Sequence, residues 1–196
     1  MPSTRPASER TLFVGDVHGC PDELDRLLRQ AQADRVVLVG DLFTKGPDPA
    51  GVWSLIQEHG CEAVLGNHDD YNLRHPQKSG LPDEALRWLA QRPLFLLEPG
   101  LTVVHGGVHP KLGVSGTSRQ RALTSRGWMD AYDRGNFVVY GHDAARGLTR
   151  TDKTLGLDSG CVYGGQLSGW LREEDRLLQV PAARVYRAIK AKAAIS

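Results

Sequence analysis

Apolar residues come along this chain in short runs, and the main runs stop at polar residues of one kind. Residues 12–20 read LFVGDVHGC, an apolar strand pattern that ends in Asp16 and His18. Residues 35–41, RVVLVGD, form a continuous apolar run of the sort buried on both faces of a sheet, and end in Asp41. Residues 62–66, EAVLG, lead into Asn67, His68 and Asp69; residues 101–104 lead into His105-Gly106-Gly107; residues 137–140 lead into Gly141-His142-Asp143. Between the first three runs the spacing turns helical. Residues 21–32 open on Pro21, Asp22 and Glu23, suited to a positive first turn, and carry the stripe Leu24, Leu27, Leu28. Residues 48–59 give a second helix entered through Pro49. Strand, helix, strand, helix, strand implies parallel strands with right-handed crossovers, and such sheets bind ligands outside their carboxyl ends.

The later text is less regular. Residues 71–93 read as helix broken at 75–82, and 94–97 with 101–104 as a hairpin around Glu98-Pro99-Gly100. The stretch 118–132 predicts a helix. The runs 154–157, 166–171 and 177–180 alternate with turns and predict an antiparallel second sheet of their own. The basic tail 182–196 is expected to form a helix or fray, and 1–9 to be disordered. With no repeat and no low-complexity linker, 1–196 is expected to be a single domain.

Composition narrows the function. A net charge of +1 gives no global pull toward nucleic acid or membrane. Cys20, Cys61 and Cys161 are odd in number and widely spaced, which favours reduced thiols and a cytoplasmic setting over a disulfide framework. No run reaches the roughly 18 apolar residues of a membrane span.

The candidate chemistry lies at the strand ends. Residues two apart in an extended segment point the same way, so Asp16 and His18 can face one point. That pair alone also suits a surface turn. Asp41, Asn67, His105 and His142 complete a set of oxygen and nitrogen donors for two divalent metals, with Asp41 as the natural bridge. Asp16 and His18 would serve the first ion, and Asn67, His105 and His142 the second. The donor types suit manganese first, with iron, zinc, cobalt, nickel or magnesium as alternatives. A water between two such ions loses a proton near neutral pH and becomes a nucleophile. His59, His75 and His109 have no such context and read as surface or packing residues.

In order, GDVHG, GDLFTKGP, GNHD, HGG and GHD resemble the motifs of the calcineurin-like metallophosphoesterases, over residues 15–142. Within that superfamily the chain is most similar to the phosphoprotein-phosphatase branch and its symmetrical diadenosine tetraphosphate hydrolases. Residues 156–165, GLDSGCVYGG, resemble that group's C-terminal signature. The resemblance implies an α/β fold with a central β-sandwich flanked by helices in four layers, α/β/β/α, and metals at the strand carboxyl edges. It implies cleavage of diadenosine tetraphosphate to two ADP, with Asp41 and Asn67 in the catalytic set and His68 as the general acid. Asn67 could also hold a phosphate oxygen. Nucleotide-capped RNA is a further possible substrate if the site is open. Protein Ser/Thr phosphatases carry Asp-Arg where this chain has Thr44 and Lys45. Lys45 keeps a phosphate-binding charge without the bidentate fork, and Thr44 cannot orient the catalytic imidazole as an anion. Arg74 is a further phosphate-binding candidate, as are Arg126 and Arg146. The alternatives are a Ser/Thr protein phosphatase, a broad phosphomonoesterase, or a non-catalytic nucleotide-binding module.

Overall fold

The computed structural model describes residues 9–189. The disorder expected over 1–9 falls outside this span except at Glu9, as does the tail beyond 189. Strand β1 (Thr11–Val14), helix α1 (Pro21–Ala31), β2 (Arg35–Leu38), α2 (Pro49–Glu58) and β3 (Glu62–Ala63) follow the expected alternation. β1 and β2 pair in parallel, as do β2 and β3. α1 buries Leu24, Leu27 and Leu28 against Leu12, Val14 and Leu38, so its stripe covers one face of the sheet. Three helices follow, α3 (Asn67–Arg74), α4 (Pro76–Ser79) and α5 (Asp83–Ala90). The break expected over 75–82 holds the short helix α4, which Pro76 opens and Gly80, at φ +68°, closes.

The second sheet begins with the hairpin β4 (Phe95–Glu98) and β5 (Leu101–Val104). The helix expected over 118–132 is shorter: α6 spans Arg119–Thr124, and only a 3-10 turn at Met129–Ala131 follows. Gly127 turns at φ +66° and releases the chain so that Trp128 packs under the 105–107 loop. Its indole N–H donates to the Gly106 carbonyl at 2.9 Å, and a Cβ on Gly107 would lie 1.9 Å from that indole nitrogen. Gly107 therefore makes room for a tryptophan, and Gly106 for the backbone at the end of α6, where a Cβ would lie 2.6 Å from Thr124 N.

β6 (Phe137–Tyr140), β7 (Thr149–Arg150), β8 (Thr154–Gly156), β9 (Gln166–Leu171) and β10 (Arg176–Pro181) complete the fold. The late runs do not build a sheet of their own. β8 joins the second sheet parallel to β6, with order β4-β5-β6-β8-β7. β9 and β10 add to the free side of β1, giving β10-β9-β1-β2-β3. The reason is burial: β9 is covered on both faces, Leu167 and Leu171 toward the helices and Trp170 toward the other sheet. The two mixed sheets share an apolar layer of Phe13, Val37, Val39, Val103, Val139 and Leu155. Helices cover the outer face of the first sheet, and α6 with the Trp128–Tyr132 segment covers the second. No helix among the described residues is long and apolar enough to cross a membrane. All three cysteines are unlinked.

Candidate metal centre

The strand ends bring Asp16, His18, Asp41, Asn67 and His142 to one small cavity of about 110 Å³, which His68, Lys45 and Asp158 also line. His105 closes the cluster from below, fully buried. Donor atoms of Asp16, His18 and Asp41 lie within 4.8 Å of one another, and so do those of Asp41, His105 and His142. Asp41 is the member common to both groups. Its carboxylate is 3.6 Å from His18 Nε2 on one side and 3.4 Å from His105 Nε2 on the other. The six residues chosen from the sequence thus meet around one point, with Asn67 Oδ1 3.0 Å from His105 Nε2.

Each donor is held by the chain around it. His105 Nδ1–H donates to the Val39 carbonyl at 2.9 Å, which turns Nε2 toward Asp41. Asp16 accepts from the His142 backbone N–H at 3.2 Å. Asp41 accepts from the His68 N–H at 2.9 Å. Gly66 and Gly141 are required by space: a Cβ would lie 2.4 Å from Asp41 Oδ1 in the first case and 2.1 Å from Asp16 Oδ1 in the second. His18, Asp41, Lys45 and His142 all take positive φ, between 48° and 71°. That backbone is strained for non-glycine residues, at a cost of about 1–3 kcal/mol each.

Charge in the cluster is badly balanced. Burial, then the neighbouring charge of Asp158, pushes the Asp16 carboxyl well above the usual range. Burial lowers His18 and His142 to about 3, so both imidazoles are neutral with lone pairs available. Burial opposes charge on His105 too, but Asp41 and Asp16 outweigh it and raise His105 to about 10. Asp41 is held low by that imidazole despite its own burial. His105 therefore carries a proton where a cation would sit, and Lys45 Nζ fills the other side, 2.9 Å from His18 Nε2. Buried carboxylates, neutral imidazoles and two stand-in positive charges fit a site for divalent cations, whose binding displaces protons from such ligands.

The remaining candidates separate clearly. His68 lines the cavity with its ring edge-on to His18, centroids 5.3 Å apart, and burial lowers its pKa. Thr44, expected only to be unable to orient the catalytic imidazole as an anion, contacts another histidine: its Oγ1 is 3.2 Å from His18 Nδ1. Arg126 reaches the cavity wall. Arg74 does not line it and pairs with Asp70 at 2.8 Å, and Arg146 is taken up by Asp130. Two residues went unread in the sequence. Asp69 is fully buried and accepts from the N–H groups of Asp41, Leu42 and Gly66, tying the β2 loop to the start of α3. Burial, followed by the charge of Asp41, raises its pKa to about 7. Asp158, buried beside Asp16, follows β8 by the same two-residue step that separates Asp16 from β1.

Two mixed sheets whose carboxyl edges converge carboxylates, an amide and imidazoles on one point make a metallohydrolase architecture. Residues 9–165 match the family of calcineurin-like phosphoesterases, and the chain belongs to that family and is a hydrolase of phosphate bonds. It is 26% identical to the symmetrical bis(5'-nucleosyl)-tetraphosphatase of Methylobacillus flagellatus over 262 aligned positions, covering 87% of this chain and 95% of the relative. The same-named protein of Bordetella pertussis is 28% identical with the same coverage. So many aligned positions against 196 residues mean that these relatives carry several tens of residues this chain lacks. A crystal structure described as "a putative diadenosine tetraphosphatase" superposes with a TM-score of 0.83 at 32% identity, covering 90% of this chain and 95% of that one. The compact form is thus shared with at least one solved relative.

Proposed function

We propose that the chain hydrolyses the phosphoanhydride bonds of dinucleoside polyphosphates, cleaving diadenosine tetraphosphate centrally to two ADP. The observation that carries this reading is the pair of donor groups sharing Asp41, combined with Thr44 at the position where protein phosphatases place an aspartate. The relatives named for the tetraphosphatase reaction point the same way.

Asp16, His18 and Asp41 would hold one divalent cation, and Asp41, Asn67, His105 and His142 a second, manganese being the best match to this mixed donor set. When bound, such cations neutralise phosphate oxygens and acidify water. The chain's own residues do the rest. Thr44 and the Val39 carbonyl hold the rings of His18 and His105 with Nε2 facing inward. The Asn67 amide offers an N–H to a phosphate oxygen. Lys45 brings an ammonium to the same wall and offsets charge on the phosphates. His68 is in the cavity without belonging to either donor group, so its imidazole is left to protonate the departing phosphate oxygen. Three unlinked cysteines suit a reducing compartment such as the cytoplasm.

The test is product analysis with manganese-loaded protein and diadenosine tetraphosphate. Two ADP per substrate supports the reading. AMP plus ATP, or release of inorganic phosphate alone, contradicts it.

A further inference from the structure

Beside the metal centre lies a second, larger cavity of about 580 Å³. Arg126, Ala144 and Tyr163 line both spaces, so the two communicate. The smaller one has room for ions and a phosphate only, whereas the larger falls in the range of about 300–1,000 Å³ typical of small-molecule sites. Its far wall is the segment that follows β10. This segment is strapped down at three points: Ala182 N–H donates to the Gly165 carbonyl, Arg187 N–H donates to the Val162 carbonyl, and the Tyr186 hydroxyl donates to the buried Glu23 carboxylate at 2.8 Å. Ala183 N–H donates to the same Glu23 oxygen. The strap carries Arg187 and Ile189 to the cavity. It also lies wholly beyond residue 165, where the match to the phosphoesterase family ends.

We propose that this cavity is the nucleoside subsite, taking the base and ribose of one end of the substrate while the phosphates run past Tyr163 to the metal centre. The choice of ligand rests on the dinucleotide reading above; the location rests on the cavity itself. The Tyr163 ring gives a face on which a base can stack, and Lys45 already sits over that ring, 5.4 Å from its centroid. Ala144 and Ile189 supply apolar wall for a planar, weakly polar group. Arg126 donates to the His142 carbonyl at 3.1 Å, and Arg187 is exposed on the opposite wall. Two guanidiniums in the cavity wall, and Lys45 where the two spaces meet at Tyr163, give cations to a polyanion. Asp143, 3.6 Å from Arg126, offers an acceptor to a ribose hydroxyl. A bare phosphate would use the cations but not the Tyr163 ring, the apolar wall or Asp143, so those groups set which phosphate compound is held.

The experiment compares calorimetric binding of ADP and inorganic pyrophosphate to the full chain in the presence of magnesium. Wild type is expected to bind ADP about tenfold or more tightly over pyrophosphate. Arg187→Ala and Tyr163→Ala should each cut that preference to about threefold or less, and Tyr163→Phe should keep it. Equal binding of the two ligands by wild type, or a preference that survives both alanine substitutions, overturns the subsite. Hydrolysis of diadenosine tetraphosphate to two ADP without an ADP preference would sink the subsite and leave the hydrolase reading standing. An ADP preference without dinucleotide turnover would do the reverse.

Discussion

The two ends of the sandwich both gather charged residues from both sheets, and they treat them in opposite ways. At the end where the parallel strands begin, Arg35 of β2 meets Glu98 of β4 at 2.7 Å and also pairs with Glu62. Arg172, just past β9, meets the other oxygen of Glu98 at 2.7 Å. Every charge there faces its opposite, and the cluster works as a clasp between sheets. At the end where the strands finish, carboxylates face carboxylates, and two of the imidazoles are neutral with their lone pairs pointing inward. Four non-glycine residues there also hold left-handed backbone. One end is complete in itself; the other is built around guests that bring positive charge. A charged cluster therefore reads as structural when its members satisfy each other, and as a ligand site when they compete for the same missing charge.

Substitutions at the two ends should separate accordingly. Asp41→Asn removes the carboxylate shared by both donor groups and should lower turnover of diadenosine tetraphosphate by about a thousandfold or more. A large loss of fold stability would make Asp41 a clasp like Glu98. His68→Ala should cost about 10²–10⁴ in kcat with divalent-cation binding unchanged; weakened cation binding would place His68 among the ligands instead. At the other end, Glu98→Ala should cost about 2 kcal/mol of stability in denaturant unfolding, since Arg172 and Arg35 both lose a charged hydrogen-bond partner, and leave kcat within about twofold. The smallest effect is expected from Thr44→Val. It frees His18 Nδ1 from its partner and should weaken cation binding about tenfold, read by titration, with no change in fold stability.

The asymmetry also shows what the sequence could and could not reveal. Asp16, Asp41, Asn67, His105 and His142 were legible because a buried strand followed by a polar residue is a local pattern, and parallel strands place all such ends on one edge. The partner of a strand is not a local property. Nothing in residues 166–171 says that they pair with β1 as well as with their neighbour β10; burial on both faces of β9 decides it, and that depends on what the rest of the chain leaves uncovered. Asp69 could have been found as the third residue after Gly66, a position from which a carboxylate reaches back to the helix entrance. Asp158 shared the strand-end pattern of Asp16 but sat in a stretch, 156–165, read only for its likeness to a C-terminal signature. Arg74 has the right charge, but its helix turns it toward Asp70. The role of Thr44 was invisible because it depends on which imidazole the loop brings within 3.2 Å.

The central claim is that one carboxylate, Asp41, is common to two cation sites. It is tested most directly by counting ions. The full chain, stripped with a chelator and dialysed, is titrated with manganese and the bound metal measured by elemental analysis. Two ions per chain in wild type, with both weakened about a hundredfold or more in Asp41→Asn, is the predicted result. A single ion in wild type, or two ions bound as tightly by Asp41→Asn, would contradict it.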